Sequence, residues 1–322
     1  MSKSLSDSVL SGRGLVKTFG ATRALDGLNL EVASGEIHGF LGPNGAGKST
    51  TIRALLGQLR LNDGRAEVFG MDPWRHGVAT RSRLAYVPGD TSLWPGLSGG
   101  ECIDLLGGFQ GTMDPRRRDD LVERFELDPT KRARTYSKGN RQKVALVAAL
   151  SCDADLFILD EPTSGLDPLM ESVFQQVVGD LNAEGRTVLL SSHILAEVEA
   201  LCDRLTIIRS GRTVSTGTLE ELRLGTLTTI DAITPAPPAR LDTIEGVSNL
   251  TQEQRPHDVR TTLTVTHAGL TAAIAAVSAA GPRDLTVRPP SLEQLFLEHY
   301  QESDADHQVP NGGHQTRDGL VA

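Results

Sequence analysis

"GFLGPNGAGKST", residues Gly39–Thr50, contains Gly42-x-x-x-x-Gly47-Lys48-Ser49. The apolar run "EIHGFLG" leads into it, and a helical stretch follows. A glycine-rich turn between a buried strand and a helix start is the setting of a phosphate-binding loop. Its glycines let successive backbone N–H groups turn toward an anion, and the helix N-terminus adds partial positive charge. The segment Gly42, Pro43, Asn44, Gly45, Ala46, Gly47, Lys48, Ser49 and Thr50 is therefore expected to cradle nucleotide phosphates. Lys48 would pair with the β- and γ-phosphates, and Ser49 would ligate Mg²⁺.

Two later stretches belong with this loop. In "DLFILDEPTSGLDP" (Asp155–Pro168) four apolar residues bury a strand, and Asp160 emerges at its carboxyl end, where open α/β sheets place ligands. Asp160 suits the Mg²⁺ shell, and Glu161 would face the attacking water as general base. "TVLLSSH" (Thr187–His193) ends with His193 at the tip of another buried strand, on the γ-phosphate side of such a site. Histidines without such a position, His38, His76 and His257, are read as structural.

Size and composition bound the rest. The chain has 322 residues, 39% of them hydrophobic and 23% charged, enough for one large domain and a smaller one. Its formal net charge is −9, so no global basic field invites nucleic acid, and none is expected as a partner. The longest apolar runs, "VALVAAL" and "TAAIAAVSAA", fall far short of the ~20 residues that a membrane helix needs. "MSKSLSDSVL" lacks a signal-peptide core. The expected location is cytoplasmic, with any membrane span supplied by another chain. Three cysteines without a C-x-x-C spacing are read as reduced thiols.

Short apolar strands alternate with helical stretches up to about Thr218, which predicts a parallel α/β sheet. Residues 1–12 read as a flexible tail and 13–224 as the nucleotide-binding domain, with a helical subdomain at about 90–140. After the Pro-rich breaker "TPAPPAR", the strand patterns "VRTTLTVT" and "DLTVRP" and the helical "HAGLTAAIAAVSAAG" and "SLEQLFLEHY" predict a small α+β extension over 225–302. Residues 303–322 are polar and Gly-rich, and read as a disordered tail.

Together these motifs, in this order over roughly 12–220, resemble the nucleotide-binding subunit of an ATP-binding-cassette (ABC) transporter. The resemblance implies a P-loop NTPase fold of ABC type: a parallel-sheet core, an antiparallel β subdomain and a helical subdomain. It implies that Phe19, in "VKTFG", stacks on adenine. It also implies that Ser164-Gly165-Leu166-Asp167 is the loop that crosses to a partner subunit, and that His193 is the switch histidine. Two strings compete for the family's LSGGQ signature: Leu97-Ser98-Gly99-Gly100-Glu101, and the poorer match Tyr136, Ser137, Lys138, Gly139, Asn140. In the family the signature opens the helix that leads directly to the strand of the acidic pair. Ser137 precedes Asp160 by 23 residues through an unbroken helical stretch; Ser98 precedes it by 62, with "GGFQGTMDPRRR" interrupting. The signature is therefore assigned to Tyr136–Asn140. Ser98 is expected to cap a helix with Glu101 at the third position.

One position departs from the family. Where a Gln usually follows the strand "RLAYVP", this chain has Gly89 and then Asp90, so Asp90 substitutes in part or hydrolysis is slower or differently coupled. Leu93 and Trp94, close behind, either tuck into the core or dock a membrane subunit. The end of the extension, "PSLEQLFLEHY", resembles drug- and antibiotic-export ATPases of the daunorubicin-resistance type. The implied protein hydrolyses ATP with Mg²⁺. It dimerises head-to-tail with itself or a second ABC subunit, and drives an integral membrane permease at the inner face of the cell membrane. The alternatives are a soluble ABC ATPase acting on ribosomes or DNA, and an importer ATPase.

Overall fold

The computed structural model describes residues 8–110, 112–223 and 227–288. The chain divides into two units, Met1–Leu222 and Arg223–Ala322. In the first, β1 (Ser8–Phe19) and β2 (Thr22–Ala33) form a long antiparallel hairpin. The buried β3 (Ile37–Leu41) then leads into the phosphate loop and α1 (Lys48–Leu55), and β4 (Asp63–Val68) returns to pair with β1. Residues 8–12 are thus part of a sheet, which corrects their expected place in a loose tail. Leu10 is fully buried and pairs with Val32 and Val68, so the strand is fixed by its apolar side chains.

The second sheet carries the site. After the short α2 (Gly77–Arg81) and β5 (Leu84–Val87) come three helices, α3 (Gly99–Gln110), α4 (Pro115–Arg124) and α5 (Lys138–Leu150). The chain continues through β6 (Leu156–Asp160), α6 (Pro168–Ala183), β7 (Thr187–Ser192), α7 (Leu195–Leu201), β8 (Arg204–Arg209), β9 (Arg212–Thr218) and α8 (Leu219–Arg223). Six strands assemble in the order β5-β6-β7-β3-β8-β9, parallel except for β9. Every residue of β3, β6 and β7 is buried, which is why these strands read as continuous apolar runs. Because β7 lies between β3 and β6, the loops after these three strands open at one edge.

One core joins the two sheets: Leu28 and Val32 of β2, Phe40 of β3, Ile52 and Leu55 of α1, and Ile158 of β6 are all buried in it. Deleting such a side chain costs about 2–5 kcal/mol. His38 is buried within β3, with Nδ1 3.0 Å from Glu36 Oε1 and Nε2 2.9 Å from Thr206 Oγ1, a structural role.

The second unit is an antiparallel sheet, β11-β12-β10-β13, formed by β10 (Thr228–Thr234), β11 (Val247–Gln254), β12 (Val259–Val265) and β13 (Asp284–Arg288), with α9 (His267–Ala279) beside it. Strands β10 and β12 bury alternate residues, and Ile230, Leu263 and Val265 meet Ala273 and Val277 of α9 in a separate core. Gly281, at φ 64°, follows the helix end. The predicted helix "SLEQLFLEHY" and the predicted tail lie outside the described residues.

Candidate nucleotide-binding site

The loop after β3 needs its glycines. Gly45 and Gly47 have φ of 82° and 111°, in the left-handed region open to glycine. A Cβ on Gly42 would lie 2.7 Å from the Ile208 carbonyl oxygen. From the first turn of α1 the buried Lys48 side chain folds back, and Nζ donates to the carbonyls of Gly42 (2.6 Å) and Pro43 (3.2 Å). Burial pulls its pKa down, while the carboxylates of Glu161 and Asp160 oppose that shift.

Asp160 ends β6 and is held on both oxygens. Ser49 Oγ donates to Oδ2 at 3.2 Å, and Ser191 Oγ, from the neighbouring β7, donates to Oδ1 at 2.9 Å. Burial raises the Asp160 pKa, and the two hydroxyl bonds hold it back. A carboxylate and a hydroxyl meeting at one point are hard oxygen donors, a set that fits Mg²⁺. Nothing in the local sequence pattern marks Ser191, although it stands two residues before His193 in the same motif.

Glu161 turns the chain out of the sheet with φ at 48°, uncommon for a residue with a side chain and worth about 1–3 kcal/mol of strain. Its N–H donates to the Ser191 carbonyl at 2.8 Å, which pins the turn. The carboxylate then lies 3.7 Å from Lys48 Nζ and 3.3 Å from His193 Nδ1. Lys48, Ser49, Asp160, Glu161 and His193 are thus brought together from three strand ends. Just past Glu161, the Pro162 carbonyl accepts from Nε2 of the buried Gln142, whose Oε1 accepts from Thr91. Gln142 was also missed, since nothing in its local pattern marks it.

Gly89 backs onto the acidic pair: a Cβ there would sit 3.2 Å from the Asp160 carbonyl oxygen and 3.7 Å from Glu161 Cβ. Asp90 is exposed. Phe19 is half-exposed at the end of β1, with the Lys17 ammonium 5.1 Å from its ring centre.

The two serine motifs differ in what their backbone amides do. Ser98 and Glu101 form a reciprocal cap on α3: Ser98 N donates to Glu101 Oε2 (2.6 Å), and Glu101 N to Ser98 Oγ (3.2 Å). The Ser98 N–H holds the Glu101 carboxyl below its ordinary pKa. The next two amides are engaged internally, Gly99 N with the Lys131 carbonyl (2.9 Å) and Gly100 N with that of Pro129 (2.8 Å). Gly99 must lack a side chain because a Cβ would fall 2.1 Å from the Tyr136 hydroxyl. "LSGGE" therefore braces the loop before Tyr136.

Ser137 caps α5, accepting from Asn140 N at 3.2 Å. Gly139 packs on the loop past the acidic pair, where a Cβ would lie 2.3 Å from the Gly165 carbonyl oxygen, and Lys138 Nζ donates to Ser164 Oγ at 2.7 Å. Among the described residues no hydrogen bond or ion pair joins 136–140 to the phosphate loop. Asp167 caps α6, accepting from the N–H groups of Leu169 and Met170. Leu93 is half-buried and Trp94 exposed, near an apolar groove of about 240 Å³ that includes Leu56, Tyr86, Leu106 and Phe109.

Among the described residues no helix is long and apolar enough to cross a membrane. The family model described as "ABC transporter" matches residues 25–164. The chain is 40% identical over 227 residues to the daunorubicin resistance ATP-binding protein DrrA3 of Streptomyces coeruleorubidus, covering 69% of this chain and 72% of that one. It is 30% identical over 302 residues to the linearmycin resistance ATP-binding protein LnrL of Bacillus subtilis, covering 90% and 97%. A solved ATP-binding subunit of an ABC transporter superposes with a TM-score of 0.62 at 31% identity, covering 67% of this chain and 92% of that chain. The chain belongs to the ABC transporter family and is one of its ATP-hydrolysing cassettes.

Proposed function

We propose that this chain is the ATPase subunit of an exporter: two cassettes close head-to-tail around two ATP molecules and drive a separately encoded membrane permease. The convergence of Lys48, Ser49, Asp160, Glu161 and His193 carries the reading. Lys48 exchanges its carbonyl partners for the β- and γ-phosphates. Glu161 takes the proton of the attacking water, and His193 holds Glu161 in place and reaches the γ-phosphate. Ser49 and Asp160 would hold Mg²⁺, which would supply charge neutralisation for the phosphates. Phe19 stacks on adenine. Tyr136–Asn140 serves the partner cassette's nucleotide, with the Ser137 hydroxyl and the amides opening α5 facing its γ-phosphate. Closure is favoured because ATP binds the closed pair more tightly than the open one.

The relatives named for daunorubicin and linearmycin resistance support export of a drug, antibiotic or lipid-like compound. Trp94 and the neighbouring apolar groove suit a helix of the permease, and this supports a position at the inner face of the cell membrane. Affinity purification of the tagged protein from gently solubilised native membranes tests this reading. A stoichiometric polytopic membrane protein is expected. Recovery of ribosomes or nucleic acid instead, with ATPase activity intact, replaces the exporter with a soluble ABC ATPase.

A further inference from the structure

The turn that follows α1, residues 56–61, stands between two cavities. Leu56 and Gln58 line the apolar groove, whereas Leu59, Arg60 and Leu61 line a second cavity of about 850 Å³. That second cavity also holds Arg65, Asp72, Trp74, Arg75 and His76. The segment after β4 is tied to this turn. The Pro73 carbonyl presses so close to Gly57 that a Cβ there would lie 2.1 Å away, and Arg81 Nη1 donates to the Leu56 carbonyl at 3.1 Å.

The charge in this cavity is unbalanced. Asp72 Oδ1 accepts the Trp74 N–H at 2.9 Å, and Oδ2 lies 3.5 Å from Arg75 Nε. Arg65 pairs with Glu67. Arg60 is exposed and has no acidic partner among the described residues. Three arginines thus line this cavity against one carboxylate, Asp72, and two of the three are paired, in a chain of net charge −9. Apolar surface flanks them: Trp74 is 51% exposed and Val78, two residues past His76, 82% exposed. Guanidinium groups beside an exposed indole and an aliphatic side chain match the boundary between a lipid headgroup and its acyl chains. A small soluble anion gives no reason to expose Trp74 and Val78.

We propose that this cavity binds the phosphate of an anionic lipid headgroup, with Arg60 and Arg75 on the phosphate and Trp74 at the acyl boundary. The orientation toward the bilayer rests on the exporter reading, because the apolar groove on the other side of the 56–61 turn is the face offered to the permease. The binding itself belongs to this chain alone.

Trp74 and Trp94 are the two tryptophans of the sequence, so a Trp94→Phe background makes Trp74 a single reporter. The purified full chain is mixed with phosphatidylcholine vesicles, with or without phosphatidylglycerol, or with inorganic phosphate. Expected are a blue shift of Trp74 and co-flotation with the anionic vesicles only. Arg60→Ala and Arg75→Ala should each weaken partitioning about fivefold, and Arg116→Ala, on α4, should not. A response to inorganic phosphate alone that competes with the vesicles overturns the lipid source in favour of free phosphate. No response to either ligand, or equal loss in the Arg116 variant, overturns the site. Failure here leaves the permease pull-down unaffected, and failure of the pull-down leaves vesicle binding standing.

Discussion

Ser98→Arg and Ser137→Arg remove the same interaction from two helices. In each case a serine hydroxyl accepts an N–H three residues on, at 3.2 Å, so the geometry lost is identical. Each cap is worth about 1 kcal/mol, and for a domain of this size that lowers Tm by roughly 2–4 °C. Matched stability losses make the pair a controlled comparison. At Ser98 nothing further is lost, because the amides of Gly99 and Gly100 already serve the carbonyls of Lys131 and Pro129. At Ser137 the hydroxyl and the helix opening would, in the proposed dimer, also serve the partner's phosphate, and losing one such donor costs roughly 100–1,000-fold in turnover. Steady-state phosphate release, measured well below both melting temperatures, should stay near wild type in Ser98→Arg and vanish in Ser137→Arg. The reverse pattern would refute the assignment. Equal loss in both, with Tm lowered no further than the cap accounts for, would show that the brace before Tyr136 matters as much as the 136–140 motif.

Glu161→Gln should bind fluorescent ATP with wild-type affinity while turnover falls about 100–10,000-fold; wild-type turnover would remove Glu161 as the base. The buried Glu197, which accepts from Ser192 Oγ at 2.6 Å, has its pKa raised by burial. An acid whose folded value exceeds its unfolded value binds more proton when folded. Its contribution to stability therefore falls as pH rises from about 4.3 through the raised folded value. Urea titrations should show this decline flattened in Glu197→Gln, and an unchanged slope would contradict it. All three cysteines are buried, and burial pushes the Cys152 thiol up to about 11 and that of Cys202 higher still. A thiol reagent should label none in the native protein and three after unfolding; labelling of the native protein would show that these sites open.

The phosphate loop was legible because its requirement is local: glycine conformations, one lysine and one hydroxyl within a single turn. The acidic pair was legible for a similar reason, since a fully buried strand leaves a plain apolar run before Asp160. The long hairpin of β1 and β2 was not, because its bulged register breaks the two-residue alternation. Ser98 and Ser137 could be ranked by their distance from Asp160, but only the packing shows that the better string spends Gly99 on Tyr136. Ser191 and Gln142 escaped because their partners lie on other elements, 31 and 20 residues away. The cationic cavity was equally hidden, for it needs the turn after α1 and the segment around Trp74 to meet, and His76 alone gave no sign of it.

The contact of Gly139 with Gly165 links the two halves of one chain's work. Lys138 and Gly139 rest on the very loop that leaves Glu161. In the proposed dimer that loop runs from Glu161, beside a chain's own ATP, toward the partner cassette, while Lys138 and Gly139 address the other chain's ATP. A shift of the loop when one γ-phosphate leaves is therefore expected to reach the opposite nucleotide, with no side chain between the two glycines to absorb it. Two ATP molecules in such an assembly are expected not to age independently, and turnover to keep count in pairs or in strict alternation.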